Sequence, residues 1–91
     1  MAERRSPDEL LTFPCHYEFK AFGAADDAQF VDAVLEAVGY VVAVDGDAAR
    51  TRLSSGGRYQ CVTVLARLEN SAQLSAIYAK LRDIEGLFYL L

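Results

Sequence analysis

Between Tyr59 and Leu68 the side chains sort by alternation. Val62, Val64, Ala66 and Leu68 fall on one side and are all apolar, whereas Tyr59, Cys61, Thr63, Leu65 and Arg67 fall on the other and are mixed. A period of two marks a strand with unlike faces. The apolar set predicts a face turned to a core, and the mixed set a face turned to water, a ligand or another chain. Directly upstream, Ser54-Ser55-Gly56-Gly57 is the densest turn signal in the chain. Its serines can satisfy turn amides and its glycines can supply positive φ.

Alternation recurs from Cys15 to Phe22, with Cys15, Tyr17, Phe19 and Ala21 on the more apolar side and His16, Glu18, Lys20 and Phe22 opposite. Gly23 is expected to end this strand. Asp26 or Asp27 then offers an N-cap before Phe30, Val31, Val34, Leu35 and Val38, which share one helical face. Two continuations fit. Gly39 can cap the helix, making Tyr40 to Val44 a β-branched strand. Or the helix runs through Gly39, at about 1 kcal/mol, stops before Asp45-Gly46-Asp47, and leaves Ala48 to Ser54 as the strand. Further on, Asn70 and Gln73 are spaced as a capping box. Leu74, Ile77, Tyr78 and Leu81 form an amphipathic stripe, Gly86 breaks it, and Leu87 to Leu91 reads as a last strand. Ahead of everything, Ser6-Pro7-Asp8-Glu9 matches a capping box for one short turn, which Phe13-Pro14 ends.

The order strand, helix, strand, strand, helix, strand closes most simply as a ferredoxin-like α+β sandwich. Its four-stranded antiparallel sheet carries two helices on one face, and its first and third strands are central. With 91 residues the chain holds one core, assigned to residues 10–91 after a flexible 1–9. A hydrophobic fraction of 53% excludes a disordered chain and points to apolar surface in need of a cover.

Charge and chemistry narrow the functions. The formal net charge is −4 and the pI about 4.8, which argues against nucleic-acid binding. RNA-recognition modules share this strand order, but of their aromatic third-strand motif only Tyr59 and Val62 remain here. Cys15 and Cys61 lack metal-ligand spacing and, by parity, lie on opposite sheet faces, so neither zinc nor a disulfide is expected. His16, the single histidine, has no partner at ligand or general-base spacing. No apolar run approaches the roughly 20 residues of a membrane span, and Met1 to Glu9 has no leader-like apolar core. A cytoplasmic protein without cofactor, metal, membrane or catalytic residues is the expectation.

Two surfaces stand out. Arg50, Arg52 and Arg58 beside Ser54, Ser55 and the glycine amides suggest an anion site at the hairpin, against the plainer reading of a solvated turn. The open sheet face gathers Phe22, Tyr59, Cys61 and Leu65 with Phe88 and Leu90 of the last strand, more apolar surface than a monomer usually exposes. A homodimer through this face is expected, the alternative being that Leu10, Leu11 and Phe13 fold over it.

Phe13-Pro14, Gly23, the run Ser54-Ser55-Gly56-Gly57-Arg58-Tyr59 with Val62-Thr63-Val64, and Tyr78 together resemble the YbeD-like family of small bacterial proteins of unknown function. The resemblance covers about Leu10 to Leu91. It implies a ferredoxin-like fold likened to regulatory ACT domains, and it carries a lipoic-acid-related regulatory label. Family spacing favours the long first helix with Ala48 to Ser54 as the second strand. By this resemblance the first functional expectation is a non-catalytic regulatory or sensor domain binding a small acid near Gly23 or at a subunit interface. The second is a protein-interaction adaptor acting through the open face.

Overall fold

Two ten-residue strands form the centre of the structure. In the computed structural model, which describes residues 11–91, β1 (Cys15–Ala24) pairs antiparallel with β3 (Tyr59–Leu68), from Cys15 opposite Leu68 to Ala24 opposite Tyr59. The short β2 (Ala49–Leu53) flanks β3, and β4 (Leu87–Leu90) flanks β1, giving the sheet order β2-β3-β1-β4. Helices α1 (Phe30–Gly39) and α2 (Ser71–Arg82) cover one face. This is the ferredoxin-like arrangement, with the first and third strands central.

Register explains the core. Phe19 stands opposite Val64 and Ala21 opposite Val62, so the apolar halves of both alternations face the helices together. Phe30, Val34 and Val38 descend from α1, and Leu74, Ile77 and Leu81 from α2, into one buried cluster. Each such large side chain gains about 1.5–3 kcal/mol on burial. Asn70 caps α2 as its spacing predicts, its Oδ1 accepting from the Gln73 amide at 3.0 Å. Gln73 Oε1 accepts from the Glu69 amide at 2.7 Å, one residue earlier than a capping box prescribes.

Tyr17, Phe19 and Tyr78 pack edge to face beneath α2, with ring centroids 4.8–6.2 Å apart. The two hydroxyls lie 2.8 Å apart. Tyr78 donates onward to the Leu91 backbone oxygen at 3.1 Å, which leaves Tyr17 as the donor to Tyr78. A polar thread thus crosses the aromatic cluster and secures the chain beyond β4.

Local departures from expectation have local causes. β1 runs through Gly23 to Ala24 rather than ending before it. The first helix begins only at Phe30, after Gln29; Asp27 Oδ1 accepts the Gln29 amide and the Asp27 carbonyl accepts the Phe30 amide, so Asp27 caps a tight turn that precedes the helix. It also stops at Gly39 instead of continuing to Val44. The Val41 and Val42 amides share the Val38 carbonyl, at 3.0 and 3.1 Å, as the last bonds back into the helix, and the valines disfavour further helical turns. Tyr40 to Val44 is neither helix nor strand; Val41, Val42 and Val44 pack against the core rim. A single 3-10 turn, Gly46–Ala48, then leads into β2. Leu11 and Phe13 pack on the core rather than over the open face. Leu10, the expected flexible 1–9 and the Ser6–Glu9 capping box lie outside the described residues.

Gly23 is buried because Phe30 lies on it: a Cβ there would stand 2.8 Å from three ring atoms. Phe30 is itself enclosed and cannot withdraw. Gly23→Ala is therefore expected to cost about 1–3 kcal/mol by overpacking. Urea unfolding checks this, and adding Phe30→Leu recovers part of the loss.

Burial first, and then the hydrogen bond with Tyr17, push the Tyr78 phenol well above its ordinary value. A raised folded-state pKa favours the neutral form, so its contribution is complete below about pH 10 and is lost as pH climbs above that. Of the five tyrosines, Tyr78 is expected to resist phenolate formation until the chain unfolds. Ultraviolet titration checks this, and Tyr78→Phe should flatten the alkaline loss of stability.

Candidate functional site

The second face of the sheet has no cover among the described residues. In register across it, Tyr89 lies opposite Phe22, Phe22 opposite Cys61, and Cys61 opposite Arg52. The next row joins Lys20, Thr63 and Arg50, and beyond it come Glu18 with Leu65 and His16 with Arg67. At the other end Tyr59 stacks on Phe88, centroids 4.3 Å apart and planes 17° from parallel. Phe22 meets Tyr89 at 5.9 Å. Phe88 is 62% and Tyr89 56% exposed, far from buried for rings of that size.

A bulge creates this aromatic end. Phe22 pairs with Tyr89 but Gly23 pairs with Leu87, so β4 carries one residue more than β1 at that point. Phe88 and Tyr89 consequently both serve the open face. Leu90, expected there by simple alternation, instead stands opposite Ala21 and packs against the core with Leu87. Phe22, Tyr59, Cys61, Leu65 and Phe88 are placed as expected; Leu90 is exchanged for Tyr89.

The ligand-site expectations fare differently. Gly23 lines no cavity, since Phe30 fills the space beside it. The loop after it is held from β3 by Gln60, whose Nε2 donates to the carbonyls of Ala24 at 2.8 Å and Asp27 at 2.9 Å. Gln60 is the buried polar side chain among the core residues. Its parity with Val62 is the sequence signal that marks it, a lone amide on an otherwise apolar face. At the hairpin, Ser54 Oγ accepts the Tyr59 amide at 3.1 Å and the Ser54 carbonyl accepts the Gly57 amide at 2.9 Å, with Gly57 at φ +71°. The serine thus serves its own turn, and Ser55 is exposed. The Arg58 carbonyl accepts the Ala25 amide at 3.0 Å, tying hairpin to loop. Arg50 leans away across the sheet to Glu18 at 3.4 Å. The three arginines do not converge on the turn.

Cys15 and Cys61 are free thiols on opposite faces, as parity requires. His16 is exposed, opposite Arg67. Among the described residues no cluster of His, Cys, Asp or Glu is arranged to hold a metal ion, and no helix is long and apolar enough to cross a membrane. A shallow groove between α1 and α2, which the sequence reading missed, is floored by Ala33, Ala37 and Ile84. Lys80 Nζ sits 3.8 Å above the Tyr40 ring beside it.

Fold and face together define a small ferredoxin-like domain whose distinctive surface is a bare sheet with an aromatic end. The chain belongs to the DUF493 family, described as proteins of unknown function, which matches residues 8–91. This agrees with the YbeD-like resemblance. A UPF0250 protein of Idiomarina loihiensis is 36% identical over 84 residues, covering 92% of this chain and 93% of its own. A UPF0250 protein of Neisseria gonorrhoeae is 39% identical over 87 residues, covering 93% of each. The solution structure of protein HP0495 from H. pylori superimposes with a TM-score of 0.64 over 98% of both chains at 13% identity. That likeness shows the fold.

Replacing Gln60 by Leu keeps the volume but removes two hydrogen bonds, leaving the Ala24 carbonyl only the Asp27 amide and the Asp27 carbonyl only the Phe30 amide. The expected cost is about 1–3 kcal/mol, read by urea unfolding, with faster amide exchange between Ala24 and Phe30 as its local sign.

Proposed function

We propose that the protein is a non-catalytic interaction module that docks a protein partner on the open sheet face. One observation carries this reading: Phe22, Tyr59, Phe88 and Tyr89 are gathered at one end of a face that no described element covers. Aromatic clusters of this kind are costly in water and are the usual anchors of interfaces. The regulatory reading implied by the resemblance, a domain sensing a small acid, gains nothing at Gly23, which Phe30 seals, or at Ser54, which its own turn occupies.

Phe88→Asp and Leu65→Asp place a carboxylate on the face without touching the core, and Glu36→Lys on α1 serves as the control. Circular dichroism should show all three folded. In quantitative affinity capture from cells, partners retained by wild type and Glu36→Lys are expected to fall about tenfold or more with the two face variants. Equal retention by all four proteins contradicts the reading.

A further inference from the structure

The distribution of charge over the molecule identifies the kind of partner. Within residues 11–91, Glu18 is the one carboxylate on a strand, and Arg50 already engages it. Lys20, Arg50, Arg52 and Arg67 all project from the open face; Arg67 is paired at 3.0 Å with Glu69 just past β3, so Lys20 and Arg52 are the cations that face a ligand directly. The other carboxylates of these residues, among them Asp32, Glu36, Asp83 and Glu85, stand on the helices and loops. A chain of net charge −4 therefore keeps a cationic, aromatic sheet face, while its surplus of carboxylates lies in the loops and the helices balance Asp32 and Glu36 against Lys80 and Arg82.

Resting on the docking role just proposed, we infer that the occupant of this face is an acidic polypeptide segment bearing an apolar or aromatic anchor. The row Tyr89, Phe22, Cys61, Arg52 runs from apolar to cationic across all four strands. With strands about 4.8 Å apart, Arg52 stands roughly 10 Å from Phe22. An extended peptide covers that distance in about three residues. An anchor seated among Phe22, Tyr59 and Tyr89 thus brings a carboxylate about three positions away to Arg52, with Lys20 in the adjoining row.

Charge disfavours the other occupants. A second copy stacked face to face about the sheet centre sets the Lys20 and Arg52 of one chain against those of the other, and like charges in apposition are costly. Single-stranded nucleic acid needs open ring faces and many cations. Here Tyr59 and Phe88 stack on each other, and Arg50 is held by Glu18.

Two short synthetic peptides with the same central Phe-Leu anchor, one flanked by Asp and Glu and its twin by Lys, provide the test. Each is titrated into isotopically labelled protein, alongside an oligothymidine, while light scattering follows the mass of the protein alone. The acidic peptide should shift the amides of Phe22, Arg52, Tyr59 and Tyr89. It should bind about tenfold more tightly than its twin, as befits exposed ion pairs to Lys20 and Arg52 that the twin replaces by repulsion, and weaken with salt. The Lys20→Glu/Arg52→Glu double variant should reverse the preference. Equal binding of the twins at this face overturns the acidic occupant while leaving the docking role standing. Absence of shifts on the face with either peptide overturns both. Tighter binding of oligothymidine, or a dimer whose contacts map to the face, replaces the occupant with nucleic acid or a second copy.

Discussion

Everything in this domain depends on the ladder between β1 and β3. Ten residue pairs in fixed register turn the apolar halves of both strands to one side, because a slip of one residue would send every side chain to the opposite face. Phe19, Ala21, Val62 and Val64 then form a floor on which both helices close. The same register fixes the other face. Nothing in the βαββαβ order supplies a third layer, so whatever the outward half of each alternation carries is left for water or a partner. The proposed docking surface is a by-product of how the core is aligned.

Two small devices adapt that ladder. Gly23 omits a side chain where Phe30 must settle, and Gln60 reaches from the core side of β3 to hold the loop that delivers Phe30. At the far edge, the extra residue in β4 turns two consecutive aromatics outward. The first pair of features joins strand to helix, and the bulge concentrates rings on the open face. Both act close to Phe22, so the structural junction and the proposed docking surface share the same end of β1, on opposite sides of the sheet.

How much of this was legible in the sequence follows from what leaves a mark in residue types. Alternation in Tyr59–Leu68 and Cys15–Phe22, and the stripe from Leu74 to Leu81, report burial directly, and the fold follows from them. Leu-Phe-Tyr-Leu at 87–90 looks the same with or without a bulge, so the exchange of Leu90 for Tyr89 could not be read from it. Val41 to Val44 is apolar enough for either regular structure, and packing on the core rim decided for neither. Gly23 was singled out correctly as special but for a ligand, whereas close approach of Phe30 gives the same preference for glycine. Gln60 was legible and overlooked. The cationic face required the fold, since Lys20, Arg50, Arg52 and Arg67 are scattered in sequence and meet only in register.

The central claim is that the bare sheet face is occupied when the protein works. Hydroxyl-radical footprinting inside living cells, compared with the purified protein, measures this directly. The account predicts that Phe22, Tyr59, Phe88 and Tyr89 are protected in the cell while Tyr40, exposed on the helical side, is labelled equally in both. Equal labelling of the four face aromatics in cell and tube, or protection confined to Tyr40, would contradict it.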